Sequence, residues 1–302
     1  MQFIKEHSSL PVPRVFAYEF DEKNSVGAAF ILMEVLPGSV AMDALGGYEA
    51  HRGVIPNQHR QDFYRSVAKC HLTSLRLPKI GAIIRTHEGK YELGPLPGLG
   101  GPFDTATAFL EAWADSVKFK WDKETITHMM QRGPITAEQM LAIIENFPSQ
   151  IKSIASQLSL CDEGPFPLAH DDFLHSNIMV DDKNFDVTGI IDWGGACTAP
   201  IELLAFPEFL TAMPISFDLP QKYDQDGQPF DEELRELWRE RGEYIEMVKS
   251  AELSDSLLSK CLGSKRAQAI AYSYGAYTCV GKLGFYDRVM RFLKREEESL
   301  DN

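Results

Sequence analysis

Three side chains that can accept a proton or bind a cation lie close together in the sequence. Asp172 is followed five positions later by Asn177, and Asp192 ends the second of two apolar runs. A phosphoryl-transfer site needs a carboxylate that accepts a hydroxyl proton, and an amide oxygen and a carboxylate that bind magnesium. The alternative is structural, because Asp and Asn also cap backbone groups in turns. The spacing and the flanking apolar runs favour the phosphoryl-transfer interpretation.

A short β-hairpin is predicted to position these side chains. Residues 178–180 and 187–191 are apolar, and they flank the turn-forming residues 181–184. Further strands are predicted over 12–18 and 28–35, with a small hairpin around Gly89 and Lys90. Because residues 28–35 are apolar throughout, that strand is expected to be covered on both faces. Apolar periodicity and helix signals predict helices over about 58–75, 104–120, 136–159, 201–212, 231–250 and 264–297.

Composition excludes several classes of protein. The 302 residues are 44% hydrophobic and 25% charged, as in ordinary globular proteins, and no apolar run approaches the length of a membrane span. A net charge of −14 argues against binding to nucleic acid or to an anionic membrane. Five cysteines without metal-ligand spacing indicate reduced, mostly buried thiols and a cytoplasmic location. The oligomeric state is not indicated.

The segment 231–246 is rich in acidic residues. Such a run is ordinarily the solvated face of a helix, and this is the favoured interpretation. The alternative is the rim of a cleft that attracts a cationic substrate. An apolar stripe on the same segment indicates one helix face packed on the core.

Taken together, the segments His170–Val180 and Gly189–Trp193 resemble the aminoglycoside phosphotransferase and choline kinase family, which has a protein-kinase-like fold. Residues 30–38 resemble the hinge of that family. Residues 10–15, 75–81 and 101–103 resemble other parts of it, the last two being connectors found in uncharacterised fungal members.

The resemblance implies an α+β fold with a reduced β-rich amino-terminal lobe, residues 1–37, that would bind nucleotide. Residues 38–302 would form a large, mainly helical lobe that carries the catalytic loop and the metal-binding hairpin. The backbone of Glu34, Val35 and Leu36 would meet the adenine edge of ATP.

The same resemblance implies roles for four residues of the motif. Asp172 would be the catalytic carboxylate, and His170 would brace its loop. Asn177 and Asp192 would bind Mg²⁺. The motif departs from the family pattern at Asp171, where a small residue is usual, and the extra carboxylate would either crowd Asp172 or point to solvent.

The family's phosphate-covering loop and its Lys–Glu pair are not identifiable in the sequence as given. Lys5 and Glu6 lie past the expected position of the glutamate, and Lys23 falls in a turn. We therefore expect weak affinity for ATP.

The sequence predicts a kinase-type enzyme that transfers the γ-phosphate of ATP to a hydroxyl of a small molecule. The acceptor would be cationic if the acids of 231–246 line the cleft. The main alternative is a pseudokinase that binds a partner or acts in a pathway without transfer. An unrelated helical hydrolase is a weaker alternative, because no G-x-S-x-G element is present.

Overall fold

The computed structural model describes residues 1–51, 54–71, 75–252 and 256–298. Within these residues the chain combines helices with short strands, which is the predicted α+β class. The α-helices are α1 (Gln2–His7), α2 (Gly47–His51), α3 (Asn57–His71), α4 (Ala106–Ser116), α5 (Lys123–Met129), α6 (Ala137–Ser153), α7 (Glu232–Ala251), α8 (Leu257–Gly263), α9 (Lys265–Gly275) and α10 (Tyr286–Glu298). The strands are β1 (Val15–Glu19), β2 (Phe30–Met33), β3 (Ser39–Val40), β4 (Arg76–Leu77), β5 (Ala82–Arg85), β6 (Tyr91–Gly94), β7 (Phe166–Ala169), β8 (Ile178–Val180), β9 (Val187–Ile190) and β10 (Cys197–Thr198).

The strands form three small antiparallel sheets. β1 pairs with β2 alone, and β4, β7, β10, β5 and β6 form a five-stranded sheet in that order. In the third sheet β8 is central, and it pairs with β3 on one side and with β9 on the other. Since β3 directly follows Gly38, this sheet connects the hinge segment to the predicted catalytic hairpin.

The predicted β-hairpin is confirmed as β8 and β9 joined by a tight turn. Asp181 organises this turn, because its Oδ1 accepts a hydrogen bond from the backbone N–H of Lys183 at 2.8 Å. The N–H of Asp181 donates to the carbonyl of Asp186 at 2.9 Å and closes the loop. Side-chain to backbone bonds of this kind are the reason that Asp and Asn are frequent in turns.

A buried aromatic and aliphatic cluster holds the hairpin in place. Ile178 and Val180 are completely buried, and they belong to the same cluster as Phe63 of α3 and Phe185 at the end of the hairpin turn. The rings of Phe63 and Phe185 meet edge to face, with centroids 5.4 Å apart. Interior packing of this density transmits strain, so α3 restrains the hairpin.

The helical part of the chain has a core of its own around α6. This helix starts with a capping box, in which Thr136 and Gln139 satisfy each other's backbone N–H groups. Its buried face packs on α4 and α10, and Phe147 lies 4.7 Å from the ring of Tyr286 between centroids.

Two of the predicted helices are wrong in extent. Residues 201–212 form two short 3₁₀ turns instead of one helix, and Pro207 lies between them and lacks the N–H that a continuous helix requires. Residues 264–297 form α9, a π-helical turn at Ala276–Val280 and α10. Gly281 and Gly284 have left-handed φ angles of 68° and 90°, which end the first segment before the second begins.

The other predicted elements are present with small changes in their bounds. α4, α6 and α7 lie within the ranges predicted, apart from a residue at the end of α7, and β5 and β6 form the hairpin expected around Gly89. Residues 72–74, at the end of the first predicted helix, lie outside the described residues.

The expectation that the strand over 28–35 is covered on both faces is wrong. Every residue of β2 is exposed, and the side chain of Val35 just beyond it is 92% exposed. The reason is that β1 is the strand's only partner among the described residues, and no second layer packs on the pair.

Two further observations concern the cysteines and the apolar character of the helices. All five cysteines are free, but only Cys70 and Cys261 are buried, so burial of most thiols is not observed. No helix in the described parts of the chain combines the length and apolar character needed to span a membrane.

Candidate active site

His170 connects the two halves of the motif. It follows β7, and its Nδ1 accepts a hydrogen bond from the N–H of Asp172 at 3.2 Å, so its Nε2 carries the proton and donates to the carbonyl of Ile191 at 2.9 Å. The imidazole packs edge to face on Trp193, with centroids 4.5 Å apart. Burial lowers the pKa of His170, and the Ile191 carbonyl and nearby carboxylates oppose this effect.

Asp172 and Asn177 are joined directly. The Asn177 amide nitrogen donates to the Asp172 carbonyl at 2.9 Å and to its Oδ2 at 3.0 Å. Both of these bonds use Nδ2, so Oδ1 of Asn177 remains available as an acceptor or as a metal ligand. The Asp172 carboxylate is exposed whereas Asn177 is buried, which fixes the carboxylate at the surface of a rigid support.

Asp192 follows β9 in an unusual backbone conformation. Its φ is 60°, in the left-handed region that most residues avoid. The N–H of the preceding Ile191 donates to the carbonyl of Asn177 at 3.0 Å, which brings the two predicted metal ligands to neighbouring positions of the backbone. Backbone strain of this kind is concentrated at functional sites, where surrounding structure maintains it.

The extra carboxylate, Asp171, packs against the backbone of Gly195. A Cβ atom added to Gly195 would lie 2.4 Å from Oδ2 of Asp171, so only glycine fits there. Burial is the main reason that the pKa values of Cys197 and Tyr274 are raised. The negative charge of Asp171 raises both pKa values further. Its side chain therefore lies toward β10 and α9.

Residues 10–38 contact the hairpin at several points. The Ile190 N–H donates to the carbonyl of Pro11 at 2.7 Å, and the Thr188 hydroxyl donates to that of Pro37 at 2.8 Å. A Cβ atom at Gly189 would lie 2.1 Å from Cδ1 of Leu36. Residues 10–38 are thus attached to the hairpin that carries the predicted site.

Residues 1–202 match a family model described as the phosphotransferase enzyme family. This is two thirds of the 302-residue chain. The chain belongs to the phosphotransferase enzyme family. The predicted family resemblance is thereby confirmed, and with it the protein-kinase-like α+β class and a kinase-type phosphotransferase.

Solved structures of aminoglycoside phosphotransferases are also similar to the chain. An aminoglycoside-3'-phosphotransferase of type VIII is 19% identical and has a TM-score of 0.36, and the alignment covers 88% of this chain and 77% of that one. The aminoglycoside phosphotransferase APH(3'')-Id from Streptomyces rimosus, in complex with ADP and streptomycin, is 14% identical with a TM-score of 0.40. That alignment covers 87% of this chain and 79% of that one. A search of curated proteins found no match.

The donor atoms in this phosphotransferase suit magnesium. The free Oδ1 of Asn177 and the exposed carboxylate of Asp192 are hard oxygen ligands, and Mg²⁺ is commonly held by one or two carboxylates together with substrate phosphates. No cluster of three His, Cys, Asp or Glu side chains suited to a metal occurs in the described part of the chain. A site of this kind would therefore depend on the phosphates of a bound nucleotide to complete its ligands.

The three predicted adenine-binding residues differ in which backbone groups are free of hydrogen bonds within the described structure. The N–H of Glu34 donates to the carbonyl of Arg14 at 2.8 Å, and its carboxylate accepts from the N–H of Arg14 at 2.9 Å. The backbone carbonyl of Glu34 and the amides of Val35 and Leu36 therefore remain as the groups that can face a base.

A cavity of about 250 Å³ lies behind the predicted catalytic loop, and its wall includes residues that the sequence analysis did not identify. His71 of α3 is one of them; it is hydrogen-bonded to the hydroxyl of Tyr244 at 3.0 Å, and burial lowers its pKa to about 4. Glu208 is another, and its carboxylate lies 3.1 Å from Nδ1 of His175. Both pairs join residues that are distant in sequence, so spacing along the chain carried no signal for them.

The acidic residues of α7 are largely paired. Arg239 forms ion pairs with Glu236 and Glu243 on the same helix. Glu240 is buried, where it pairs with Arg60 of α3 and accepts a hydrogen bond from Tyr64 at 2.9 Å. These acids thus join α7 to α3 and to one another, and none of the three lines the cavity behind the predicted catalytic loop.

Proposed function

We propose that this protein transfers the γ-phosphate of ATP to a hydroxyl group of a small molecule. The single observation that supports this most directly is the bond between Asn177 and Asp172, because it fixes a carboxylate and turns the amide oxygen of Asn177 away from it. Positioning of this kind is the main requirement of phosphoryl transfer.

In this proposal Asp172 orients the acceptor hydroxyl and receives its proton. The acceptor oxygen forms a bond to the γ-phosphorus while the bond to the β–γ bridging oxygen breaks, and ADP leaves. His170 keeps the loop in position through its bonds to Asp172 and Ile191. Magnesium, held by Asn177 and Asp192, would neutralise charge on the phosphates.

We assign contact with the base to residues 1–37, through the carbonyl of Glu34 and the amides of Val35 and Leu36. Residues 38–302 would supply the catalytic and metal-binding side chains and the acceptor site. Aminoglycosides, choline-like amines, sugars and other small alcohols all carry a suitable hydroxyl. Glu236, Glu240 and Glu243 of α7 are paired with arginines, which weakens the argument for a cationic acceptor.

The test is ATP turnover with magnesium and a panel of these acceptors. Replacing Asp172 with Asn removes the proton acceptor, and turnover is expected to fall by about 10²- to 10⁴-fold. Asp171→Asn is the matched control, because it removes the adjacent carboxylate, which packs against Gly195 instead.

Calorimetry with a non-hydrolysable ATP analogue and magnesium separates binding from transfer. Asp172→Asn should still bind this analogue, whereas Asp192→Ala should not. Wild-type binding without turnover of any acceptor would favour the pseudokinase interpretation. Equal turnover by Asp172→Asn and the wild type would rule out the proposed role of Asp172.

A further inference from the structure

A large cavity lies apart from the proposed transfer site. It measures about 900 Å³ and lies between α7, the start of α9, α10 and the segment 213–220. None of the residues 170–177 lines it, and Phe206 forms a wall that it shares with the smaller cavity behind the catalytic loop. Its size is within the range of pockets that enclose small organic ligands.

The charge of this cavity is opposite to that of the whole chain. Its described lining contains four cationic side chains and no carboxylate, although the chain has a net charge of −14. The cations are Arg241, Lys265, Arg288 and Arg291. Arg291 is neutralised by Asp287 at 2.9 Å, and Arg288 donates to the backbone carbonyl of Asp218. Arg241 and Lys265 have no carboxylate partner among the described residues.

Arg241 is the best positioned of these cations. Its guanidinium lies 4.0 Å from the centroid of the Phe206 ring and donates to Oε1 of Gln268 at 3.3 Å. Burial lowers the pKa of Arg241 to about 10, which leaves it protonated at neutral pH. A mostly buried cation without a counter-ion is costly, and a bound anion would remove that cost.

Two further features define what else the ligand would contact. Ser216 lines the cavity, and its hydroxyl is buried without a hydrogen-bond partner in the described structure. Buried polar groups in native proteins are usually hydrogen-bonded, so this hydroxyl is available to bond a ligand in the cavity. Trp238, Phe206 and Phe292 supply an apolar, aromatic surface to the same cavity.

We propose that this cavity binds a small organic anion with a carboxylate and an aromatic body. The carboxylate would accept hydrogen bonds from Arg241, in the planar geometry that guanidinium groups favour. The aromatic body would lie against Trp238 and Phe292. This site is distinct from the proposed transfer centre, and its occupation does not require transfer activity.

The experiment is calorimetry on the full chain with naphthoate, naphthylmethanol and naphthylmethylamine, three probes with the same ring system but a negative, neutral or positive substituent. Naphthoate is expected to bind at least about tenfold more tightly than either of the others. Arg241→Gln should weaken naphthoate binding by about tenfold or more. Asp172→Asn should leave it unchanged, since Asp172 does not line this cavity.

Arg239→Gln is the matched control. It removes the same charge from the same helix, but its guanidinium pairs with Glu236 and Glu243 and does not line the cavity. Equal weakening by Arg239→Gln and Arg241→Gln would show a general charge effect and overturn the proposal. No naphthoate binding up to about 10 mM, or equal affinity for all three probes, would also overturn it.

A second variant covers the case in which Arg241→Gln does not fold, as judged by circular dichroism. Lys265 is exposed at the start of α9, so Lys265→Gln is expected to fold. It should weaken naphthoate binding by roughly threefold, a smaller effect because the ammonium is hydrated. Unchanged affinity in that variant would then count against the site.

Discussion

The amide nitrogen of Asn177 donates to both the carbonyl and the carboxylate of Asp172, at 2.9 and 3.0 Å. One buried side chain therefore fixes the backbone and the functional group of the proposed catalytic residue together. The same two bonds determine which way the amide faces, and they leave its oxygen free for the proposed magnesium ion. The stability of the loop and the proposed metal binding would thus both depend on Asn177.

Replacing Asn177 with Ala should consequently affect both properties. Loss of two hydrogen bonds, one of them to a charged group, is expected to lower the free energy of unfolding by about 1–3 kcal/mol in urea denaturation. Calorimetry should show no magnesium-dependent binding of an ATP analogue. Asn184→Ala is the control: Asn184 bonds Asp186 at the exposed hairpin turn, and its loss should leave nucleotide binding intact. Intact binding in Asn177→Ala would contradict the ligand assignment.

Replacement of Asp192 should separate its backbone strain from its proposed role as a metal ligand. At φ 60° a glycine is free of the strain that a Cβ atom causes, whereas alanine is not. Asp192→Gly should therefore be more stable than Asp192→Ala by about 1 kcal/mol, while both lose magnesium-dependent nucleotide binding. Urea denaturation and calorimetry of the two variants provide the measurement.

Asp186, in the same hairpin, provides the comparison. Its φ is not in the left-handed region, so alanine there should be more stable than glycine, the opposite order. If Asp192→Ala were also more stable than Asp192→Gly, Asp192 would not be strained in solution.

The sequence predicted the parts of the site whose residues are close along the chain. Asp172, Asn177 and the hairpin follow from local spacing and turn chemistry, and the structure brings Asn177 against Asp172 as that spacing suggests. Residues 201–212 differ from the predicted helix because an apolar segment can form a helix or a series of 3₁₀ turns, and Pro207 prevents a continuous helix here. Nothing local identifies His71, since its partner Tyr244 is 173 residues away.

His71 should make stability depend on pH. Burial lowers its pKa from 6.5 to about 4 in the folded chain, so the unfolded chain binds more protons between those values. Its contribution is complete above pH 6.5 and is lost as the pH falls toward 4, by on the order of 3 kcal/mol. His71→Gln should flatten the urea-derived stability profile in that window.

An exposed histidine supplies the control for this profile. His87→Gln, in the turn between β5 and β6, should leave the pH dependence of the wild type unchanged. Direct titration of the imidazole by nuclear magnetic resonance gives an independent measurement. Ordinary titration of His71 near pH 6.5 would contradict the burial-driven shift of its pKa.

Gly38 should be the least replaceable residue between the hinge and the hairpin. Its φ is +89°, and a Cβ atom there would lie 1.8 Å from the carbonyl oxygen of Val180. This neighbour is backbone paired to β3, so it cannot move aside without breaking the sheet that carries the proposed metal ligands. Gly38→Ala is expected to cost more than about 3 kcal/mol and to weaken nucleotide binding together with stability.

Gly27→Ala separates the contact at Gly38 from its backbone conformation. Gly27 has a similar φ of +77°, but a Cβ atom there would meet nothing within 4 Å. Its replacement should cost only the strain of a left-handed alanine, about 1–2 kcal/mol, and should leave nucleotide affinity unchanged. Equal stability of the two variants in urea would mean that Gly38 does not lie against the carbonyl of Val180 in solution. Gly38→Ala could instead lower the free energy of unfolding more than Gly27→Ala does and also weaken nucleotide binding. This result would show that the contact between Gly38 and Val180 fixes the position of the proposed nucleotide site relative to the proposed metal site.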